Sequence, residues 1–253
     1  MKTIDLNCDM GESYGTYVLG YDELAMPYVT SINVACGFHA SDPDNMSKTV
    51  VLARKHGIAI GAHPGFPDLV GFGRRTMALT PDEVKNAVIY QIGALDAFCR
   101  ATGVVMQHVK AHGALYNMAE KDLSIAAAIA AAIKEVNPAL YMLCLANSQM
   151  VVAAKQQGVP FVEEAFADRA YTDEGTLVSR KVVGSVVHDI TQVVTRVVRM
   201  VKDHSVISIT GKEVPIEAQT ICVHGDTPGS VDMVKALRKA LDKENIKLQA
   251  FGA

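Results

Sequence analysis

The chain has 253 residues, 49% of them hydrophobic, with 24 Lys and Arg against 27 Asp and Glu and a net charge of −3. There is apolar material for a large core, while the slight acidity and the lack of a basic block argue against a nucleic-acid or membrane-surface partner. Mean hydropathy is only +0.17, and no apolar run approaches the ~18 residues of a membrane span.

The first segment, MKTIDLNCDMGES, has no charged start followed by an apolar stretch, so no secretory signal is expected and the cytoplasm is the default address. Residues 3–9 alternate as a strand does, with Ile4, Leu6 and Cys8 on one face and Asp5, Asn7 and Asp9 on the other. A second strand, 30–36, carries Asn33 and runs on to His39. Asp42 and Pro43 then supply the N-cap and first position of a helix near 43–56. The third strand, 57–62, ends at His63 and a loop rich in Gly and Pro that contains Arg74 and Arg75. Thr80, Pro81 and Glu83 carry the capping-box signature for a helix over 80–101.

The fourth strand, 104–110, puts His108 and Lys110 on one face, and His112 continues the same parity. A helix at 121–136, a strand at 140–146 and a helix at 147–157 follow. The sixth strand, 160–164, ends in Glu163 and Glu164, with Asp168 and Arg169 just beyond, and a helix covers 187–202. Residues 206–216 read as a β-hairpin turning at TGKE, inserted before a last strand at 219–224 that ends in His224 and Asp226. Thr227 and Pro228 offer the start of a helix over 228–244.

Strand–helix repetition without a linker predicts a parallel sheet with crossover helices across one domain, 1–253. A (β/α) barrel with one unit missing or degenerate is favoured over an open doubly wound sheet, because no Gly-rich dinucleotide fingerprint follows the first strand. Two carboxylates and an amide on an inward face are costly unless paired or coordinated. Six of the seven predicted strands release titratable residues at their C-terminal ends, the face where βα barrels build active sites. A lone histidine is usually a satisfied core residue; this many on one rim predict a functional pocket, with His108 lying deeper.

Other chemistries find no motif. ITGKEV at 209–214 lacks the spaced Gly and the hydroxyl of a phosphate-binding loop, and neither H-E-x-x-H nor G-x-S-x-G occurs. Cys8, Cys36, Cys99, Cys144 and Cys222 are odd in number and scattered, and read as reduced thiols. Cys36 beside His39 can be drawn as a nucleophile–base pair, although a buried structural thiol is the preferred reading.

The segments DLNCDMGES, NVACGFHASDP, GAHPGFPDLVGFGRR, HVKAHGALYN, EEAFADRAYTDEGTLVSR and ICVHGD, in that order from residue 5 to about 226, resemble the LamB/YcsF family of 5-oxoprolinase A subunits. The resemblance implies a seven-stranded (β/α) barrel related to glycoside hydrolases and polysaccharide deacetylases. It also implies opening of the lactam of 5-oxo-L-proline to L-glutamate with ATP (and Mg), alongside two further subunits similar to the halves of allophanate hydrolase. Roles for the rim residues follow from chemistry. Asp9 or His63 is the expected base, Lys110 the cation for developing oxyanion or phosphate charge, and His112 or His224 the acid for the ring nitrogen. Lys110 and His112 are expected close together, with the lysine keeping His112 neutral. Arg74, Arg75 or Arg169 is expected to clamp the substrate carboxylate, with Asn7, Asn33, His39, Asp168 and Asp226 completing the binding residues. Two alternatives stay open. Asp9, His39 and His63, with Asp226 behind them, have ligand types for a divalent metal and thus for a stand-alone amidase or deacetylase. A non-catalytic substrate-binding subunit is the other.

Overall fold

The computed structural model describes residues 2–223 and 229–252. His224, Asp226 and the expected helix-capping pair Thr227 and Pro228 lie outside the described residues.

Seven parallel strands close a barrel. Strands β1 (Lys2–Met10), β2 (Ser31–Ala35), β3 (Ala59–His63), β4 (Met106–Val109), β5 (Tyr141–Leu145) and β6 (Phe161–Phe166) pair in succession. An antiparallel hairpin, β7 (Ser205–Ile207) and β8 (Glu213–Pro215), turns at the expected TGKE segment. Strand β9 (Thr220–Val223) then pairs with β6 on one side and with Asp5–Cys8 of β1 on the other, which completes the ring. A short strand, β10 (Ile246–Leu248), for which the sequence carries no signal, pairs in parallel with Lys2–Ile4.

The helices follow the sequence signals where caps are strong. Helix α1 is a single turn, Asp22–Ala25. Helix α2 (Pro43–His56) starts where the Asp42 carboxylate accepts from the N–H groups of Asp44 and Asn45 at 2.9 and 3.0 Å. Helix α3 (Pro81–Thr102) has the full capping box, with Glu83 accepting from the Thr80 N–H at 2.7 Å. Helix α4 (Gly113–Ala119) lies where the sequence reading leaves a loop, and α5 (Leu123–Val136) starts two residues later than expected, on the Asp122 cap. Helices α6 (Gln149–Gln157), α7 (Ile190–Lys202) and α8 (Ser230–Lys243) also begin two or three residues late; Ser148, Asp189 and Gly229 precede them. Among the described residues no helix is long and apolar enough to cross a membrane.

Strand parity divides the chemistry as the sequence implies. Ile4, Leu6 and Cys8 of β1 are buried in the apolar layer with residues such as Val50, Leu237 and Leu241 of the surrounding helices. Asp5 and Asn7 are equally buried but point into the barrel, since Asn7 Nδ2 reaches Glu164 on β6, a strand that is not its neighbour, at 2.9 Å. His108 fills the interior lower down, where its Nε2 meets Asn33 Oδ1 at 2.8 Å and its ring packs edgewise on Phe251 at 5.3 Å. It is a hydrogen-bonded interior residue. Gly61 makes room for it, because a Cβ at that position collides with the His108 ring.

Asp5 anchors the lower interior. Its carboxylate accepts hydroxyl bonds from Thr30 at 2.6 Å, Ser31 at 2.8 Å and Thr220. Burial outweighs these bonds and pushes its pKa up to about 6. The folded pKa is above the unfolded one, so the contribution of Asp5 to stability is full below about pH 4 and is lost as pH rises through 6. Asp5→Asn cannot titrate. Its stability relative to the wild type should therefore move about 1–2 kcal/mol in the variant's favour between pH 5 and pH 8. Urea denaturation at the two pH values measures this; no pH dependence in the difference would mean that Asp5 stays ionised throughout.

Candidate active site

The polar floor is built around one buried cation. Lys110 follows β4 directly and continues its pairing, its N–H donating to the Ala62 carbonyl at 2.9 Å. Its side chain is 2% exposed and crosses the barrel, where Nζ lies 2.9 Å from Glu164 Oε1 and 3.1 Å from Asp9 Oδ1. Cys222 Sγ at 2.9 Å and Asn7 Oδ1 at 3.3 Å complete its surroundings, and the centre of the Phe166 ring, which lines the cavity, is 5.0 Å away. Desolvation opposes the charge, but Asp9, Cys222 and Glu164 together overcome it and hold the lysine pKa well above its ordinary value. Tyr116 on α4 donates to Glu164 Oε2 at 2.9 Å, and Asn33 Nδ2 donates to Asp9 Oδ1 and Asn7 Oδ1, both at 2.8 Å.

Above this floor stand three histidines. His63 ends β3 and His112 immediately precedes α4. The His63 Nδ1 lies 2.8 Å from the Lys110 carbonyl oxygen, and the His112 Nε2 lies 2.8 Å from that of Phe72. Carbonyls only accept, so each of those nitrogens carries its ring's proton. The other two nitrogens, His63 Nε2 and His112 Nδ1, face one another at 3.0 Å, with Asp9 Oδ2 3.4 Å from the first and Glu12 Oε1 3.9 Å from the second. His39 stacks on His112 with ring centres 3.7 Å apart and planes 4° from parallel, and its Nε2 is 3.9 Å from Glu12. Gly73, at φ +63°, permits this packing: a Cβ there would lie 2.7 Å from His39 and 2.8 Å from His112. Burial, reinforced by His63, pushes His112 well below the ordinary imidazole value; burial and then His112 do the same to His39.

The cavity over this floor has a volume of about 350 Å³. Of the residues singled out from the sequence, Asp9, His63, Arg74, Lys110, His112 and Arg169 line it. Asn7 and Asn33 lie beneath as fully buried links of the floor, and His39 stands behind His112. Arg75 is held in a bidentate pair by Asp68, with Nε 3.0 Å from both carboxylate oxygens, and stands apart from the cavity wall. Asp168 is buried and does not line the cavity, and the neighbouring Arg169 donates from its guanidinium to the carbonyls of Ser185 and Val178, with its pKa lowered by burial to about 10. Lys110 and His112 diverge: the lysine turns to the floor, and the histidine owes its neutrality to burial and His63 rather than to the lysine. Cys36 donates to the Val34 carbonyl, and burial pushes its thiol up to about 12, which fits a structural thiol.

Glu12, Tyr116, Arg180 and Lys181 also build the site without a role expected from the sequence, and Glu164, expected only as one of a titratable pair ending the sixth strand, is a principal floor carboxylate. Glu164 was legible in principle. Val162, Glu164 and Phe166 share one parity on β6, so of the adjacent pair it is Glu164 that enters the barrel.

A model of the LamB/YcsF family matches residues 4–253. The chain is 54% identical to the 5-oxoprolinase A subunit of Clostridium beijerinckii over 98% of this chain and 97% of that one. It is likewise 54% identical to the 5-oxoprolinase A subunit of Geobacillus thermodenitrificans, over 99% and 98% of the two chains. The crystal structure of a lactam utilization protein from Thermus thermophilus superposes with a TM-score of 0.94 at 45% identity, covering 99% of this chain and all of that one.

The floor predicts strong coupling between Lys110 and Glu164. Lys110→Met leaves buried carboxylates without their cation and should cost about 3–5 kcal/mol of stability. Adding Glu164→Gln removes one of those orphaned charges, so the double variant should be more stable than the two single losses sum to, by at least about 1 kcal/mol. Denaturant titration of the four proteins gives the coupling energy. Additive losses would mean that Glu164 is not the lysine's principal counter-ion.

Proposed function

The chain belongs to the LamB/YcsF family, and from that premise we propose that it is the A subunit of an ATP-dependent 5-oxoprolinase that opens 5-oxo-L-proline to L-glutamate. The observation that carries this reading is the cavity itself. It is small, its floor is an ion-paired network, and its rim carries Arg74, Arg169, Arg180 and Lys181. A small cyclic amide bearing a carboxylate suits both ends, with its carboxylate at the cationic rim and its amide over Asp9, His63 and His112.

A five-membered lactam is a weak electrophile. Transfer of the γ-phosphoryl group of ATP to the lactam oxygen releases ADP and activates the ring carbon; water adds there, the C–N bond breaks to free the amine, and hydrolysis of the resulting acyl phosphate gives glutamate and inorganic phosphate. Within this chain, Asp9 Oδ2 and His63 Nε2 face the cavity in position to take the proton from water. Lys110 pairs with Asp9 and Glu164, and its fixed charge lies beneath the site where oxyanion or phosphate charge develops. His112 or His224 returns a proton to the departing ring nitrogen. ATP, with Mg, is assigned to two partner subunits resembling the halves of allophanate hydrolase, because this sequence has no phosphate-binding loop motif; the assembly works in the cytoplasm.

Reconstitution tests the reading. ATP-dependent formation of glutamate from labelled 5-oxoproline should require this chain and both partners together. Arg74→Gln should raise KM for 5-oxoproline about tenfold or more with kcat little changed, as expected for a lost charge-assisted bond to the carboxylate. ATP-coupled turnover by this chain alone would overturn the division of labour. Unchanged kinetics in Arg74→Gln would remove that residue from carboxylate binding.

A further inference from the structure

We propose that His63 Nε2 and His112 Nδ1, together with the carboxylates of Asp9 and Glu12, bind a divalent first-row transition-metal ion at the mouth of the barrel. The tautomers of both rings are fixed by the backbone. Two backbone carbonyls, of Lys110 and of Phe72, claim the N–H of each ring. The two remaining nitrogens therefore present lone pairs to each other at 3.0 Å. Facing lone pairs repel unless something positive lies between or beside them. A metal-binding imidazole commonly donates its other N–H to a backbone carbonyl or carboxylate, which fixes the ring and raises its basicity. Both rings are held in this way.

The distances fit an ion of this kind. A tetrahedral centre with ordinary nitrogen and oxygen bond lengths separates its ligand atoms by roughly 3.3–3.5 Å. Here the two nitrogens are 3.0 Å apart, Asp9 Oδ2 is 3.4 Å from His63 Nε2, and Glu12 Oε1 is 3.9 Å from His112 Nδ1. Small shifts bring the set to that spacing. Two neutral imidazoles and two carboxylates balance a double positive charge, and imidazole donors favour zinc and its neighbours over magnesium.

His39 completes the surroundings in a different way. Its two ring nitrogens are buried and have no hydrogen-bond partner among the described residues. It is nevertheless stacked parallel to His112, so an ion in the plane of one ring lies well out of the plane of the other. Glu12, His39, His63 and His112 keep their ligand atoms within 4.8 Å of one another, which lets His39 join the set after a turn of its ring. In the present arrangement it supports His112 from behind.

The proposed ligands include Asp9, His63 and His112, which also face the proposed lactam site, so the test reads metal binding and not turnover. Untagged protein, dialysed against a chelator, is titrated with Co²⁺ and then with Zn²⁺. One equivalent of Co²⁺ should bind and give the visible absorption of a low-coordinate nitrogen–oxygen site, and Zn²⁺ should bleach it. His63→Ala and His112→Ala should each weaken Zn²⁺ binding by more than about a hundredfold, beyond what loss of an outer-shell partner causes. Nitrogen-15 spectra of the wild-type histidines need no variant: Zn²⁺ should shift His63 Nε2 and His112 Nδ1 more than any other ring nitrogen. Absence of stoichiometric binding would overturn the proposal. So would binding that persists in both variants, or spectra in which a proton shared by the two rings stays in place at saturating Zn²⁺.

Discussion

A lysine ammonium buried between two carboxylates governs the upper half of this barrel. Burying the Lys110 ammonium is costly, and close pairing with Asp9 and Glu164 compensates for it. That requirement ties together three strands. Asp9 comes from β1, Glu164 from β6 and Lys110 from the end of β4, so the charge pairs hold only when the ring is closed in its observed register. The neutral residues then have little freedom. Asn7 must turn its amide nitrogen to Glu164 and Thr220 and its oxygen to Lys110 and Asn33, and Tyr116 must bring its hydroxyl down onto Glu164. A satisfied network of this kind fixes side-chain positions more tightly than apolar packing alone.

The histidine layer depends on that floor through the backbone. The same Lys110 whose ammonium organises the carboxylates offers its carbonyl to His63. The loop after β3 supplies the Phe72 carbonyl to His112, and its Gly73 carbonyl accepts from Ala114 at the start of α4 at 2.9 Å. Loops from two adjacent strands thereby lock together over the cavity. Ring orientation and tautomer are set before any ligand arrives, which is the preorganisation that electrostatic catalysis or metal binding requires.

Much of this frame is legible in the sequence, for identifiable reasons. Period-two alternation in TIDLNCD separates an apolar outer face from a polar inner one, and the cost of burying Asp5, Asn7 and Asp9 singly implies that they are paired. Asp42, Thr80 and Glu83 fix helix starts because their caps are local hydrogen bonds. Features that depend on distant contacts are not legible. Helix α4 has seven residues and begins at a glycine, too short to show a helical period, yet it delivers Tyr116. Strand β10 has three residues and exists because the chain returns beside the start of β1. Glu12 lies in a loop with no parity to read, and only the fold brings it near His39 and His112. Arg74 and Arg75 are indistinguishable in the sequence, but Asp68 holds Arg75 to itself and leaves Arg74 over Phe72 at the cavity rim.

We propose that the small cyclic amide is held at the mouth of the barrel, above the Lys110 floor. A crystal structure of the chain with 5-oxo-L-proline tests it most directly. The account predicts the lactam amide over Asp9, His63 and His112, with the carboxylate turned to the Arg74 side of the cavity. Ordered ligand on another surface, with the cavity filled only by water, would contradict it.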